Sequence, residues 1–150
     1  MSATSMSSNT YATYEPLEVI TENNKIENFI LRCPYSKCNA RIIKPSEKCD
    51  IIEDNIEIEF IRPSSATDES ETSVVEDDHK FLRIDDVWDF DNIGVSKNFD
   101  NKHDIERLII CSDCDRGPLG FAKFDLGNED KNVKDLRYYL SLGSCVYQKS

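Results

Sequence analysis

Several things that other functional classes depend on are scarce in this chain. Among 150 residues there is one tryptophan, Trp88, and there are two histidines, His79 and His103. A ligand cage walled by several tryptophans is therefore excluded. Neither histidine stands at ligand spacing from a cysteine pair, and both read as solvated. Positive charge is also short: 18 Lys and Arg against 29 Asp and Glu, a net charge of -11. Phosphate backbones and anionic membranes repel such a surface, so no nucleic-acid binder and no basic membrane-surface protein is expected. No apolar run approaches the roughly 20 residues that span a bilayer. Met1 to Tyr14 lacks the basic start and apolar middle of a secretory signal. A cytoplasmic protein with a protein partner is expected, with monomer as the default state. In that compartment the six cysteines read as metal ligands or free thiols rather than disulfides.

The hydrophobic share is modest, 39%, and 150 residues fit one domain. Residues 1–16 are Ser/Thr-rich without apolar period and read as a disordered tail. The remainder, 17–150, reads as a single mainly β domain. Strands are expected at Phe29 to Cys33 and Ala40 to Lys44. Ile56, Ile58 and Phe60 alternate with Glu57 and Glu59, the period of a half-buried strand. Residues 63–80 are acidic and Ser/Thr-rich, a mobile loop by composition. In Phe81 to Val95, strand propensity at Val87, Trp88 and Phe90 competes with Asp85, Asp86, Asp89 and Asp91. As a strand, Trp88 and Phe90 share one face and Asp89 and Asp91 the other. Asn92-Ile93-Gly94 reads as a turn, with Gly94 free to take a positive φ. Ser96 to Glu106 is a polar connector. Leu108 to Phe124 is a β-hairpin. The alternation of Leu136, Tyr138, Leu140 and Leu142 is a last strand, with Val146 and Tyr147 extending it past Gly143.

Cys111 and Cys114 sit at the tip of that hairpin. Cys33 and Cys38 sit between the first two strands. A closed zinc site takes four ligands in a tetrahedron, and thiolates suit it. The C-x2-C and C-x4-C pairs together supply four. The alternative is two unrelated pairs of free thiols. Cys49 and Cys145 stand apart and read as small buried hydrophobes; no base accompanies either, and no catalytic residue is assigned. Asp113, between two ligands, is either presented outward on a rigid tip or accepts a turn hydrogen bond. Asp115 and Arg116 flank it, Gly117 serves backbone geometry, and Pro118 stiffens the strand entry.

Two of these stretches, VWDFDNIGV at 87–95 and LIICSDCDRGPLG at 108–120, resemble the DSS/MSS family of Rab exchange factors. The signature is an acidic-Asn-apolar-Gly motif followed by C-x-D-C-x-x-G-P-apolar-G. The first cysteine pair departs from it in spacing, C-x4-C where some members have C-x2-C. The resemblance implies the β-tent fold, with one structural zinc held by Cys33, Cys38, Cys111 and Cys114 joining two hairpin tips. It implies binding to nucleotide-free exocytic Rab GTPases, release of GDP and protection of the empty form in vesicular transport. The protein would then be cytoplasmic and peripheral at secretory membranes through its GTPase. Asp113 matches the family's acidic residue beside the zinc. Asp91, Asn92 and Gly94 match its other signature. Trp88, Phe90, Asp115, Gly117 and Pro118 complete the expected GTPase-binding set. A zinc-containing redox enzyme of the methionine sulfoxide reductase B type, on a related scaffold, is the competing expectation.

Overall fold

The structure is a computed structural model that describes residues 19–35, 37–54, 60–61, 80–96, 105–124 and 132–149. The N-terminal tail expected over 1–16, nearly all of the acidic loop expected over 63–80, and Ile56 and Ile58 lie outside these residues. Segments of three to seven residues become strands that pair antiparallel throughout. Strands β1 (Phe29–Arg32), β2 (Arg41–Ile43) and β9 (Val146–Lys149) form a three-stranded sheet in the order β2-β1-β9. The second sheet uses β3 (Asp50–Glu53), β4 (Lys80–Ile84), β5 (Ile93–Val95), β6 (Ile105–Cys111), β7 (Gly120–Lys123) and β8 (Arg137–Ser141). Its order is β3-β4-β8-β7-β6-β5.

One buried cluster holds the sheets together. Leu31, Ile42, Ile43 and Tyr147 from the small sheet share it with Leu82, Ile84, Ile109, Ala122, Tyr138 and Leu140 from the large one. Full burial of each large apolar side chain contributes roughly 1.5–3 kcal/mol. The opposite face of the large sheet is covered as well. Phe60, Phe81, Phe121 and Tyr139 form an aromatic cluster there, with Phe121 and Tyr139 stacked at 4.9 Å. Both faces of β8 are thus buried, which is why Tyr139 and Ser141 are as inaccessible as Tyr138 and Leu140. β7 and β8 approach so closely that a Cβ on Gly120 would lie 2.0 Å from the Tyr139 carbonyl oxygen.

The structure departs from the sequence reading in four places. Val87–Asp89 is a 3-10 turn, not a strand. Asp86 caps it by accepting a 2.9 Å hydrogen bond from the Trp88 N–H, the local competition that Asp offers to strand pairing. Trp88 is consequently 87% exposed while Phe90 is 8% exposed and packs on Tyr138; the two do not share a face. Ile93 and Gly94 are not a turn but open β5, paired with Ile109, Ile110 and Cys111. A Cβ on Gly94 would make only an ordinary contact with Ile110, so nearby side chains do not require glycine there. The hairpin begins three residues early, at Ile105, and Lys80, assigned to the acidic loop, already pairs with Glu53 in the strand register.

The fourth departure concerns the C-terminus. Leu142–Ser144 form a 3-10 turn, and β9 then joins the other sheet rather than prolonging β8. Tyr147, fully buried, donates a 2.7 Å hydrogen bond to the Leu142 carbonyl and fixes this crossing. Tyr147→Phe leaves that carbonyl unpaired and should cost about 1–3 kcal/mol in urea unfolding. Gly120→Ala forces backbone against backbone and should cost about 3 kcal/mol or more by the same measurement. Burial raises the Tyr147 phenol well above its ordinary value. Its contribution to stability is therefore complete below pH about 10 and lost above it, where the unfolded chain ionises first. Tyr147→Phe should remove that part of the alkaline loss.

Candidate metal centre

The loop between β1 and β2 closes without a glycine. The Cys33 N–H donates to the Ala40 carbonyl at 2.8 Å, while the Cys38 and Asn39 N–H groups both donate to the Tyr35 carbonyl. Asn39 sits at φ 49, in the left-handed region that Asn tolerates, and its side-chain amide donates to the Cys33 carbonyl at 2.9 Å. The β6–β7 tip is built differently. The Asp115 N–H donates to the Cys111 carbonyl at 2.8 Å, with Asp115 at φ 64, and the Cys111 N–H donates to the Arg116 carbonyl at 3.0 Å. Gly117 is required for space: a Cβ there would lie 2.7 Å from the Ile110 side chain. The Gly117-Pro118 peptide is cis, and the Pro118 carbonyl accepts from the Ile61 N–H.

These two loops bring four sulfurs together. Cys33 and Cys114 stand 3.7 Å apart, Cys38 and Cys111 likewise 3.7 Å, and all four Sγ atoms lie within 4.8 Å of one another. A tetrahedral ion with metal–sulfur bonds of about 2.3 Å has sulfur–sulfur edges of about 3.8 Å. The cluster therefore fits a four-thiolate metal ion, and zinc suits that donor set. It is the one group of three or more possible ligands among the described residues; His79 and His103 lie outside them. Both short contacts run between loops, so an ion here would fasten the small sheet to the large one.

Without an ion the thiols are unequal. Burial pushes Cys38 up to about 11 and Cys33 higher still, with neighbouring thiols adding to the rise in both. Burial also opposes ionisation of Cys114. The Arg116 backbone N–H and hydrogen bonds from the other three thiols outweigh it and bring Cys114 below its ordinary value.

Ties other than sulfur reinforce the junction. Asn92 bridges both loops: its carbonyl accepts from the Ser112 N–H at 3.0 Å, and its side-chain amide donates to the Arg41 carbonyl at 2.9 Å. Asp91 pairs with Arg41 at 2.8 Å, and its N–H donates to the Ile42 carbonyl. The Arg116 guanidinium stacks on the Tyr35 ring at 3.7 Å. Tyr35 and Arg41 carried no local signal, because their partners are distant in the chain and met only through the fold.

The expected binding residues are now placed. Asp113 is exposed at the tip, its Oδ2 3.7 Å from the Cys38 sulfur. Asp115 is exposed beside it, and Gly117 and Pro118 form the return into β7. Asp91 and Asn92 lie alongside the tip, and Gly94 follows in β5, the strand that pairs with Cys111. Trp88 stands out from the 3-10 turn, whereas Phe90 is core.

Comparison with known proteins agrees with this geometry. The family described as Mss4 protein matches residues 28–146, which span both cysteine pairs. Protein DSS4 of Saccharomyces cerevisiae is 27% identical over 135 residues, 75% of this chain and 92% of that protein. A protein named guanine nucleotide exchange factor MSS4 homolog, from Schizosaccharomyces pombe, is 39% identical over 61 residues, 40% of this chain and 58% of that one. Its namesake from Drosophila melanogaster is 27% identical over 105 residues, 69% of this chain and 77% of that one. With a mainly β fold of two antiparallel sheets joined at a four-cysteine cluster, and a family match over most of its length, this chain belongs to the Mss4 family.

Proposed function

We propose that this protein is a guanine nucleotide exchange factor that binds the nucleotide-free form of an exocytic Rab-type GTPase and carries one structural zinc. The names of its relatives support a GTPase regulator. The observation that carries the reading further is Asp113: an exposed carboxylate with no cation partner among the described residues, fixed at the end of a braced tip. Zinc, when bound, supplies no reaction chemistry here; held by Cys33, Cys38, Cys111 and Cys114, it stiffens that tip.

The phosphate-binding loop of a GTPase is a nest of N–H groups with a lysine, accompanied by magnesium. Once nucleotide leaves, those groups face solvent without their anion. A carboxylate presented on a rigid rim stabilises that emptied state. Because coupling is reciprocal, a protein that prefers the empty form lowers nucleotide affinity by the same factor. Exchange and protection of the empty GTPase are two views of this one difference. No nucleophile or base is needed. The chain would act as a monomer in the cytoplasm, reaching secretory membranes through its GTPase.

The setting of the two spare cysteines favours this reading over a sulfoxide reductase. A reactive thiol needs an accessible, thiolate-stabilising site. Cys49 and Cys145 are both 2% exposed, and burial pushes the Cys145 thiol far up.

Two outcomes are expected. Elemental analysis of the purified protein should find one zinc per chain, and Cys111→Ser should lose it. Because thiols such as Cys38 hold their protons until high pH in the metal-free form, binding displaces protons. Zinc affinity should fall about tenfold per pH unit for each proton displaced as pH is lowered, measurable by chelator competition. Asp113→Ala should slow release of labelled GDP from its cognate Rab by about tenfold, an effect within the usual range of coupling energies, while zinc content stays at one. Release at the wild-type rate would remove Asp113 from the mechanism.

A further inference from the structure

The sulfur cluster is dressed differently on its two short edges. Along the Cys33–Cys114 edge, 3.7 Å long, both loops repeat one device. The Tyr35 N–H turns to the Cys33 sulfur, and the Arg116 N–H turns to the Cys114 sulfur. Each is the second residue after its cysteine. Their side chains then meet, with the Arg116 guanidinium 3.7 Å from the centre of the Tyr35 ring. That ring is partly buried against the core, and the Tyr35 carbonyl is held by the Cys38 and Asn39 N–H groups. Arg116 makes no ion pair among the described residues, so the ring is what holds its side chain. The Cys38–Cys111 edge, also 3.7 Å, is built from other side chains. The residues at its corresponding positions are Ala40 and Asp113, and a methyl group and a carboxylate do not stack.

We propose that the Tyr35–Arg116 stack is a clasp that closes the Cys33–Cys114 edge of the sulfur cluster to solvent and slows loss of a metal ion held there. Tyr35 and Arg116 are positioning residues, acting through Cys33 and Cys114 rather than as ligands. The inference rests on the zinc reading for the ion, and not on the exchange-factor reading. Guanidinium is planar and weakly hydrated, so it lies on a ring at small desolvation cost. A ligand sulfur swings away only when the turn that carries it opens. The clasp ties the Cys33 turn to the Cys114 turn, so neither opens alone. Groups beside metal ligands orient them and tune the affinity of the site. The Arg116 charge also stands next to four thiolates, whose summed negative charge exceeds that of a divalent ion. The opposite edge stays open and leaves Asp113 exposed.

The test has two arms. In the first, the zinc-loaded full chain is mixed with excess pyridylazoresorcinol, and the coloured zinc complex is followed in time. Arg116→Ala and Tyr35→Ala should each release zinc about tenfold faster than wild type. The double variant should be no faster than either, because both single changes remove one shared interaction. Tyr35→Phe keeps the ring, and the Tyr35 hydroxyl has no partner among the described residues, so its rate should stay within about twofold of wild type. Three outcomes overturn the proposal: single effects that multiply in the double variant, both single variants at the wild-type rate, or Tyr35→Phe as fast as Tyr35→Ala. In the second arm, the full chain as purified is treated briefly with iodoacetamide and the alkylated cysteines are mapped by mass spectrometry. Arg116→Ala should raise labelling of Cys114 ahead of Cys38. An equal rise at both, the mark of a general loosening, overturns the clasp, as does no rise at Cys114. If wild type carries no zinc, the zinc reading falls, and the clasp stands or falls on the labelling of Cys114.

Discussion

The junction of four sulfurs is the constraint on which the rest depends. It joins the turn of a three-stranded sheet to the turn of a six-stranded one, through residues 81 and 73 positions apart in the chain. Neither loop could hold a tetrahedral ion alone, since each contributes two thiols. The backbone supports this arrangement before any metal is considered, because Cys33, Cys38 and Cys111 each donate an N–H within their own turn. A metal would bind a site whose ligands the fold has already gathered, so that much of the loop-closing entropy is offset by sheet pairing and the shared core.

Around that junction the polar residues divide into braces and free groups. Asp91, Asn92, Arg41, Arg116 and Tyr35 are braces: their charges and dipoles are spent on one another across the two loops. Asp113, Asp86 and Asp89 have no cationic partner among the described residues, in a protein whose net charge of -11 already favours basic partners. Exposed ion pairs such as Arg41 with Asp91 contribute little stability singly, typically under about 1 kcal/mol. Their effect is geometric. They keep the tip beside β5, so that Asp113 does not have to be ordered when a partner arrives. Affinity gained by pre-ordering of this kind comes from a smaller entropy loss rather than from more contacts.

The two surfaces differ in what they offer a partner. The tip presents charge on a stiff support. The 3-10 turn presents the exposed Trp88 indole. A single segment connects them: Asp86 to Val95 runs from the 3-10 turn that projects Trp88, through Phe90 in the core, to β5 against Cys111. Phe90 is buried between the two ends of that segment and anchors it in the core.

The four-cysteine cluster was legible in the primary structure because cysteine pairs at short spacing carry their chemistry locally. So were the mainly β class, the hairpin around Cys111 and Cys114, and the match to a family signature in residues 87–120. The strands whose partners follow directly, such as β6 and β7, were legible for the same reason. The crossing at Gly143 was not, since alternation is the same whether a strand continues or changes sheet; only the Tyr147 hydrogen bond and the shared core decide it. Nor was the fate of Trp88. Its propensity favoured a strand, and a single Asp86 side chain turned the backbone the other way. The chain by itself determined which atoms could bind a metal and which charges were available. Tertiary structure decided which carboxylates are consumed as braces and which stay free, because that depends on arginines brought up from elsewhere in the chain.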